Sequence, residues 1–496
     1  MKIALVNPPF MTQHGRFSRS QRSPAITKSG TIYYPISLCY TGAVLEREGH
    51  EVQLVDACAY RLDEARTLDL IADFRPAVVI LDTSTPSIYA DAAFAARVKA
   101  RCPGCFVALM GTHPTALPEE TLGLDAAIDA LIVGEPEYTA RDLVAMLSAS
   151  LEDDPRPARL ATIAGLAFRG ADGQPVITER RPLIADLDEL PFVSQFYRKH
   201  LDVRKYFFAA MDYPEVQILT SRGCVARCSY CVYPQTMHGF KYRMRSPASI
   251  ADEFQWITEN LPQVREIGIE DDTFTGSARQ VREFCRLVTE RRIRIKWYCN
   301  VRADLPLDLM RVMRQAGCVL VVVGYESANQ EVLDAVGKRM TVERIREFSR
   351  NAAAAGLLVH GCFMAGNRGE TRASLEQTLA LALRLMDDTV QFFPLMPYPG
   401  TADYGWAKEK GLLAIERHSD FVTGEGLHNG VCALPDMTAA EVVAWCDQAR
   451  RRYYLRPRYM LYKLAQLIRH PGESRRTLLA LKTFLPHLLG RSSARA

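Results

Sequence analysis

The sequence has no run of apolar residues long enough to cross a bilayer. Spanning takes about 18 or more such residues in succession. The densest short run, Cys318 to Val323, suits a buried strand instead. The opening MKIALVNPPF lacks the charged start and long apolar stretch of a secretory leader. Low-complexity segments are absent, and neither sign of charge dominates: 496 residues carry a net +4. That balance neither requires nor excludes nucleic acid. Thirteen cysteines, an odd number in a long chain, do not form the disulfide framework of a small secreted domain. The expected compartment is the cytoplasm. What is present is ordinary for a globular protein, 48% hydrophobic and 24% charged, and the length implies two or three domains.

Periodicity divides the chain into two alternating units. In the first, short apolar strands at 2–6, 52–55, 77–81, 106–110 and 126–133 alternate with helical spacing at 37–48, 68–74 and 90–100. Alternation of this kind implies right-handed crossovers and a parallel sheet. Continuous apolar strands fit burial on both faces. Ligands of such sheets bind beyond the carboxyl ends of the strands, here the loops Asn7–Phe10, Asp82–Ser87, Gly111–Pro118 and Gly134–Tyr138. Residues 150–160 are polar and Pro-rich, a boundary, and a hairpin is expected around Ala171-Asp172-Gly173.

A second unit repeats strand and helix six times. Its strands fall at 216–220, 266–269, 294–299, 319–325, 359–364 and 389–395, and its helices at 247–259, 277–291, 305–315, 341–355 and 371–386. The expected fold is α/β: a Rossmann-like parallel-sheet domain over 1–150, a linker with hairpin over 151–212, a partial (βα)6 barrel over 213–415 and a mostly helical, basic segment over 416–496.

The strongest chemical signal is Cys224-Val225-Ala226-Arg227-Cys228-Ser229-Tyr230-Cys231, just after a predicted strand. Three thiolates so spaced can hold three corners of a 4Fe-4S cubane and leave one iron without a protein ligand. An open metal position is what catalysis needs. A zinc site would want a fourth Cys or His at recognisable spacing, and His238 is the nearest candidate, seven residues on.

This pattern resembles the signature of the radical S-adenosylmethionine (SAM) superfamily. Further pieces, Glu270-Asp271-Asp272-Thr273-Phe274, Asn300-Val301-Arg302-Ala303-Asp304, Gly324-Tyr325-Glu326-Ser327 and Pro397-Tyr398-Pro399-Gly400-Thr401, resemble barrel motifs of the cobalamin-binding branch. That branch contains class B radical SAM methyltransferases and the related anaerobic Mg-protoporphyrin monomethyl ester cyclases. Each piece lies near the carboxyl end of a predicted strand, where such barrels place their chemistry. One departure is Arg368 in Gly366-Asn367-Arg368-Gly369-Glu370-Thr371, where the branch usually has Pro.

The resemblance implies roles. Cys224, Cys228 and Cys231 would carry the 4Fe-4S cluster, whose free iron binds the amino and carboxylate groups of S-adenosyl-L-methionine. Tyr230 would lie against adenine, Arg302 would meet the SAM carboxylate, and Glu326 and Ser327 the ribose hydroxyls, with Asp272 nearby. An Arg fork suits a carboxylate, and a carboxylate accepts from two hydroxyls. A structural ion pair is the competing reading of Arg302 and Glu326, and helix capping that of Asp271 and Asp272.

In the first 150 residues, Asn7-Pro8-Pro9, Pro35-Ile36-Ser37-Leu38, Gly111-Thr112-His113-Pro114-Thr115 and Gly134-Glu135-Pro136-Glu137 resemble the cobalamin-binding domain of the same branch. Asn7, Pro8, Ser84, Gly111, His113, Thr115, Gly134 and Glu135 are the implied contacts. The Asp-x-His-x-x-Gly motif that supplies a His to cobalt is absent. The stretch Asp82-Thr83-Ser84-Thr85-Pro86 stands there instead, so the resemblance implies cobalamin without a protein His below cobalt. His113 is the rival ligand, with a place near the nucleotide tail as the favoured reading.

The implied activity is reductive SAM cleavage to a 5′-deoxyadenosyl radical, used for methyl transfer to an unactivated carbon. Radical oxidative cyclisation or rearrangement is the alternative within the branch, and a non-catalytic cobalamin or redox sensor is the alternative outside it. The implied partners are a low-potential electron donor of the flavodoxin or ferredoxin type and a small-molecule or lipid-linked substrate, with no nucleic acid. Cys102-Pro103-Gly104-Cys105 reads as a turn rather than a redox motif. From Arg450 onward there are twelve Lys or Arg and one acid, Glu473. This pattern fits a solvated helical face or peripheral contact with an anionic membrane.

Overall fold

In the first sheet the order of strands is not the order of the chain. Strand Lys2–Asn7 lies between Glu51–Asp56 and Val78–Thr83, followed outward by Phe106–Gly111 and Ala130–Ile132, all parallel. The order in which strands are added reverses between Lys2–Asn7 and Val78–Thr83, so the loops after Asn7 and Thr83 diverge and leave a crevice there. Strands Val78–Thr83 and Phe106–Gly111 are buried along their whole length, as apolar runs covered by helices on both faces require. The computed structural model describes residues 1–20, 22–149 and 156–469. Within the predicted boundary, residues 150–155 lie outside the described residues, and Arg156–Leu160 is a short helix.

Two details differ from the expectation. The stretch predicted as a strand over 126–133 is extended only at Ala130–Ile132. The residues before it turn because Asp125 accepts from the Ala127 N–H at 2.8 Å and Asp129 from the Val107 N–H at 2.6 Å. The hairpin, Leu166–Arg169 and Pro175–Ile177, extends the same sheet by pairing antiparallel to Ala130–Ile132.

The second sheet runs in chain order: Glu215–Ile218, Glu266–Ile269, Lys296–Val301, Cys318–Glu326, Leu358–Ala365 and Thr389–Pro394, all parallel. It is a six-stranded open barrel. Its helices are capped as their sequences direct. Thr341, Thr371 and Thr401 each accept a backbone N–H three residues on, and Gly356, at φ +74°, ends the helix Val342–Ala355. Helix Gln330–Ala335 falls in a loop that periodicity alone leaves irregular.

An open barrel has two unpaired edges, and each is covered by side chains. Along the first edge the carbonyls of Glu215, Gln217 and Leu219 accept hydroxyl protons from Tyr34, Tyr197 and Tyr40 at 2.7, 2.9 and 3.0 Å. Alternate carbonyls point outward, so the period of two selects these three. At the other edge Tyr454, on helix Ala439–Tyr454, both accepts from the Val390 N–H and donates to its carbonyl. Helix Pro457–Arg469 follows, and residues 470–496 of the predicted basic segment lie outside the described residues.

Candidate active site

The cysteine loop begins one turn beyond the first barrel strand. Ser221–Arg222 pairs antiparallel with Arg243–Met244, closing residues 223–242 into a clasped loop. Gly223 has φ +81°, and a Cβ there would lie 2.2 Å from the Lys241 carbonyl oxygen, so the entry to the loop requires glycine. Gln235 then ties the loop together: its amide donates to the carbonyls of Cys228, Ser229 and Cys231 at 3.4, 3.1 and 2.9 Å. Cys224 and Cys228 are buried and Cys231 partly so, gathered with Ala226 and Tyr230. Burial, then Asp272 and Cys228, push the Cys231 thiol well above its ordinary range. A bound cation is what makes such a thiol give up its proton.

The spacing of these sulfurs separates two kinds of metal site. A single zinc, with Zn–S near 2.3 Å, draws its thiolates to within about 4 Å of one another. Among the described residues, the group of metal-ligating side chains whose donor atoms all lie within 4.8 Å is His113, Glu120 and His418, not the three cysteines. In a cubane each thiolate takes a different iron, so three cysteines need not converge on one atom. His238, the nearest rival ligand, is held by Asp272 at 2.8 Å.

Asp271 and Asp272 do not cap a helix. Asp271 accepts from the Thr220 N–H and from the hydroxyls of Thr220 and Ser221, pinning the chain before the loop. Asp272 accepts from the Gly223 N–H at 2.9 Å. Burial alone would raise the Asp272 carboxyl, but His238 and then Arg22 hold it down at about 2.

Beside Cys228 stands a trio, Lys338 and Glu326 buried and Tyr230 partly so. Lys338 donates to Glu326 at 2.7 Å and to the Tyr230 hydroxyl at 3.2 Å, and Tyr230 donates to Glu326 at 3.0 Å. Glu326 sits at φ +64°, where strand register with Leu358–Ala365 shifts. A non-glycine residue held there stores strain, as sites of function do. Arg302 reaches over the same loop, donating to the carbonyls of Lys338 and Arg339 and pairing with Asp304 at 3.2 Å. Both readings of Arg302 and Glu326 therefore have a physical basis: each is ion-paired, and Arg302, Lys338 and Tyr230 lie in the electrostatic field of Cys228. Ser327 is turned to Thr378 and the Asn329 N–H. Lys338 was not singled out by the sequence. Its only local signal is Gly337, at φ +67° against the Arg227 carbonyl, which brings the Lys338 turn onto the cysteine loop.

The predicted cobalamin contacts all lie at the carboxyl ends of the first sheet, but many are already engaged. Arg19, buried in the strap between Phe10 and Tyr34, donates to the Asn7 side chain and the Pro8 carbonyl, both at 2.6 Å, and pairs with Asp91. Ser84 bonds Ser87 at 2.8 Å. Glu135 is clamped by Arg243 at 2.7 and 3.0 Å and by Arg222 at 3.4 Å, while Glu137 takes Arg222 bidentately. These pairs bind the Gly134–Tyr138 loop to the root of the cysteine loop. Thr115 joins two predicted loops by accepting from the Gly134 N–H at 3.0 Å. Gly111, at φ +129°, lies so close to the Thr83 carbonyl that a Cβ would approach to 2.4 Å. His113 is fully buried, with Nδ1 at 3.2 Å from the Thr85 hydroxyl and Nε2 without a partner. Burial and then His418 lower its pKa to about 3, so the ring is neutral.

Two cavities lie between the sheets. The smaller, about 30 Å3, has Asp82, Thr83, Thr85 and Gly111 on one wall and Val232, Met237 and Tyr398 on the other. The larger, about 190 Å3, occupies the barrel mouth among Glu270, Asp272, Asn300, His360, Phe208 and Phe393. Ser20, Arg22, Ser37 and Tyr233 line both and form the partition. Arg22 donates to the Asp271 carbonyl, and Tyr233 to that of Ser20. The glycine cradle at Gly111 and the orphan His113 Nε2 fit a polar group bound at the sheet ends.

Comparison with known proteins agrees with this geometry. Residues 218–382 match the model of the Radical SAM superfamily and residues 22–144 that of the B12 binding domain. An uncharacterized methyltransferase of Pyrococcus horikoshii is 29% identical over 462 residues, 93% of this chain and 94% of that one. The anaerobic magnesium-protoporphyrin IX monomethyl ester cyclase of Rubrivivax gelatinosus is 27% identical, over 74% of this chain and 64% of its own. The fold also matches the radical SAM methyltransferase TsrM of Kitasatospora setae, solved with cobalamin and a 4Fe-4S cluster, at TM-score 0.63, with 19% identity over 83% of this chain and 78% of that one.

Proposed function

We propose that this protein, which joins a B12-binding domain to a radical SAM domain, methylates an unactivated carbon of a substrate held in the larger cavity. The observation that carries this reading is the partition. A single wall of Ser20, Arg22, Ser37 and Tyr233 separates a cavity at the ends of the B12-binding sheet from one at the barrel mouth beside the cysteine loop. A substrate in the larger cavity thus lies between the two cofactors. When bound, the cluster with SAM supplies a 5′-deoxyadenosyl radical and cobalamin supplies the methyl group.

The chain's own residues do the rest. Cys224, Cys228 and Cys231 hold three irons and leave the fourth for SAM. Arg302 would meet the SAM carboxylate, for which a guanidinium fork is suited. Tyr230 and Glu326 would meet the nucleoside, and Lys338, 2.7 Å from Glu326, would balance its charge. Asn7, Pro8, Ser84, Gly111, His113, Thr115, Gly134 and Glu135 shape the cobalamin end, the charged and hydroxylic members by holding its loops. Residues 1–150 serve the cobalamin and 213–415 the radical step. Low-potential cubanes reach roughly −700 mV, so an electron donor of the flavodoxin or ferredoxin type is required. All thirteen cysteines are free, which suits the reducing cytoplasm.

The test is anaerobic reconstitution with iron, sulfide and hydroxocobalamin, then mass spectrometry of the SAM products. Deoxyadenosine together with S-adenosylhomocysteine is the expected result. Deoxyadenosine alone would favour cyclisation or rearrangement, and neither product would favour a sensor.

A further inference from the structure

We infer that helix Pro457–Arg469 docks the protein on an anionic lipid surface. The helix is amphipathic in the reverse of the usual sense. Four of its polar side chains, Tyr459, Tyr462, Lys463 and Gln466, gather around one residue, Asp388. The Tyr459 hydroxyl donates to the Asp388 carbonyl at 2.7 Å, and Tyr462 and Gln466 donate to its carboxylate at 2.8 and 2.7 Å, with Lys463 3.7 Å away. The opposite face carries Met460, Leu461, Leu464 and Ile468, exposed by 57, 66, 55 and 74%. At roughly 100° per residue these four fall within about 100° of arc. They form one stripe, which an isolated soluble protein has no reason to turn outward.

Charge selects the occupant. Arg458 is exposed on the same helix and Arg451 on the helix before it, and between Arg450 and Arg469 there is no acid. The sequence beyond, 470–496, adds Arg475, Arg476, Lys482, Arg491 and Arg495 against Glu473, interleaved with Leu478, Leu479, Leu481 and Leu485. An apolar stripe flanked by cations is the pattern of a helix that lies in the interface of an anionic bilayer. No helix among the described residues is long and apolar enough to cross one. Asp388 precedes strand Thr389–Pro394, so the stripe lies at the amino ends of the barrel strands, away from the cysteines. Docking there leaves the cavity mouth open and does not depend on the reaction proposed above.

The experiment is flotation of the full chain with phosphatidylcholine vesicles, with and without phosphatidylserine. The protein is expected to float with the anionic vesicles at least about tenfold better than with neutral ones. The triple variant Leu461→Asp, Leu464→Asp, Ile468→Asp is expected to lose that binding at least about tenfold. The pair Arg451→Glu, Arg458→Glu, which leaves the stripe intact, is expected to lose the preference for phosphatidylserine. Thermal melting and deoxyadenosine formation of both variants should match wild type. The inference is overturned if wild type fails to float or floats equally with neutral vesicles, or if the triple variant still binds. Light scattering showing a wild-type dimer that the triple variant dissociates would give the stripe to a second copy instead.

Discussion

Replacing Glu137 by Gln tests whether the two domains are held in register by buried charge. Glu137 and Arg222 are shielded from solvent, with side-chain exposures of 0 and 3%, and bond at 2.5 and 3.2 Å. Removing one partner of a buried pair costs about 3–5 kcal/mol, because the other charge is left without compensation. The amide of Gln keeps one acceptor, and Glu135 remains 3.4 Å from Arg222. The lower end, about 3 kcal/mol, therefore applies. For domains of 150–250 residues this lowers the melting midpoint by about 6–12 °C. Arg222 precedes Cys224 by two residues, so loosening the pair also shifts the cysteine loop relative to the B12-binding sheet. Anaerobic melting and the ratio of S-adenosylhomocysteine to deoxyadenosine are the assays, and both should fall. The double variant Glu137→Gln, Arg222→Gln should regain part of the stability, since no unpaired charge remains. A single variant that melts within about 1 °C of wild type, or a double variant no more stable than the single, would refute the reasoning.

Lys338→Met leaves the Glu326 carboxylate buried and unpaired at a strained φ; the KM for SAM in deoxyadenosine formation should rise at least about tenfold, with iron content unchanged. Burial, and then the neighbouring Asp388, push the Asp387 carboxyl up to about 7 against the opposing Ser349 hydroxyl. The folded state therefore keeps a proton that the unfolded chain releases near pH 4, and this group's contribution falls as pH rises from about 4 to about 7, by up to about 4 kcal/mol. Melting across that window should show a shallower decline in Asp387→Asn than in wild type. Gly111→Ala forces a Cβ to 2.4 Å from the Thr83 carbonyl at φ +129°; cobalamin uptake, read from its visible spectrum, should drop.

The fold was legible because its strands are written twice over, as apolar runs and as alternation with helices. Ile3 to Val6 and Val78 to Leu81 have no reading other than buried strands. The cysteine triad was legible for a different reason: three ligands within eight residues define a loop before any fold is known. Lys338 escaped because its partners, Glu326 and Tyr230, are 12 and 108 residues away, and nothing local marks a lysine as buried. The clamp of Arg222 and Arg243 on Glu135 and Glu137 escaped for the same reason. A glutamate beside a Gly-rich turn suggests a ligand contact, and only the packed structure shows arginines from the other domain taking its oxygens. Helix Pro457–Arg469 is the clearest case. The sequence marked it only as part of a basic, helical segment, and which face turned inward depends on Asp388, which gathers Tyr459, Tyr462 and Gln466.

The proposed chemistry requires three thiolates and one open iron corner. It is tested most directly by measuring iron and deoxyadenosine in anaerobically reconstituted wild type and Cys228→Ala, with dithionite and SAM. The expected outcome is about four irons per wild-type chain, deoxyadenosine from wild type, and none from the variant. Wild type without iron, or deoxyadenosine still formed by the variant, would contradict it.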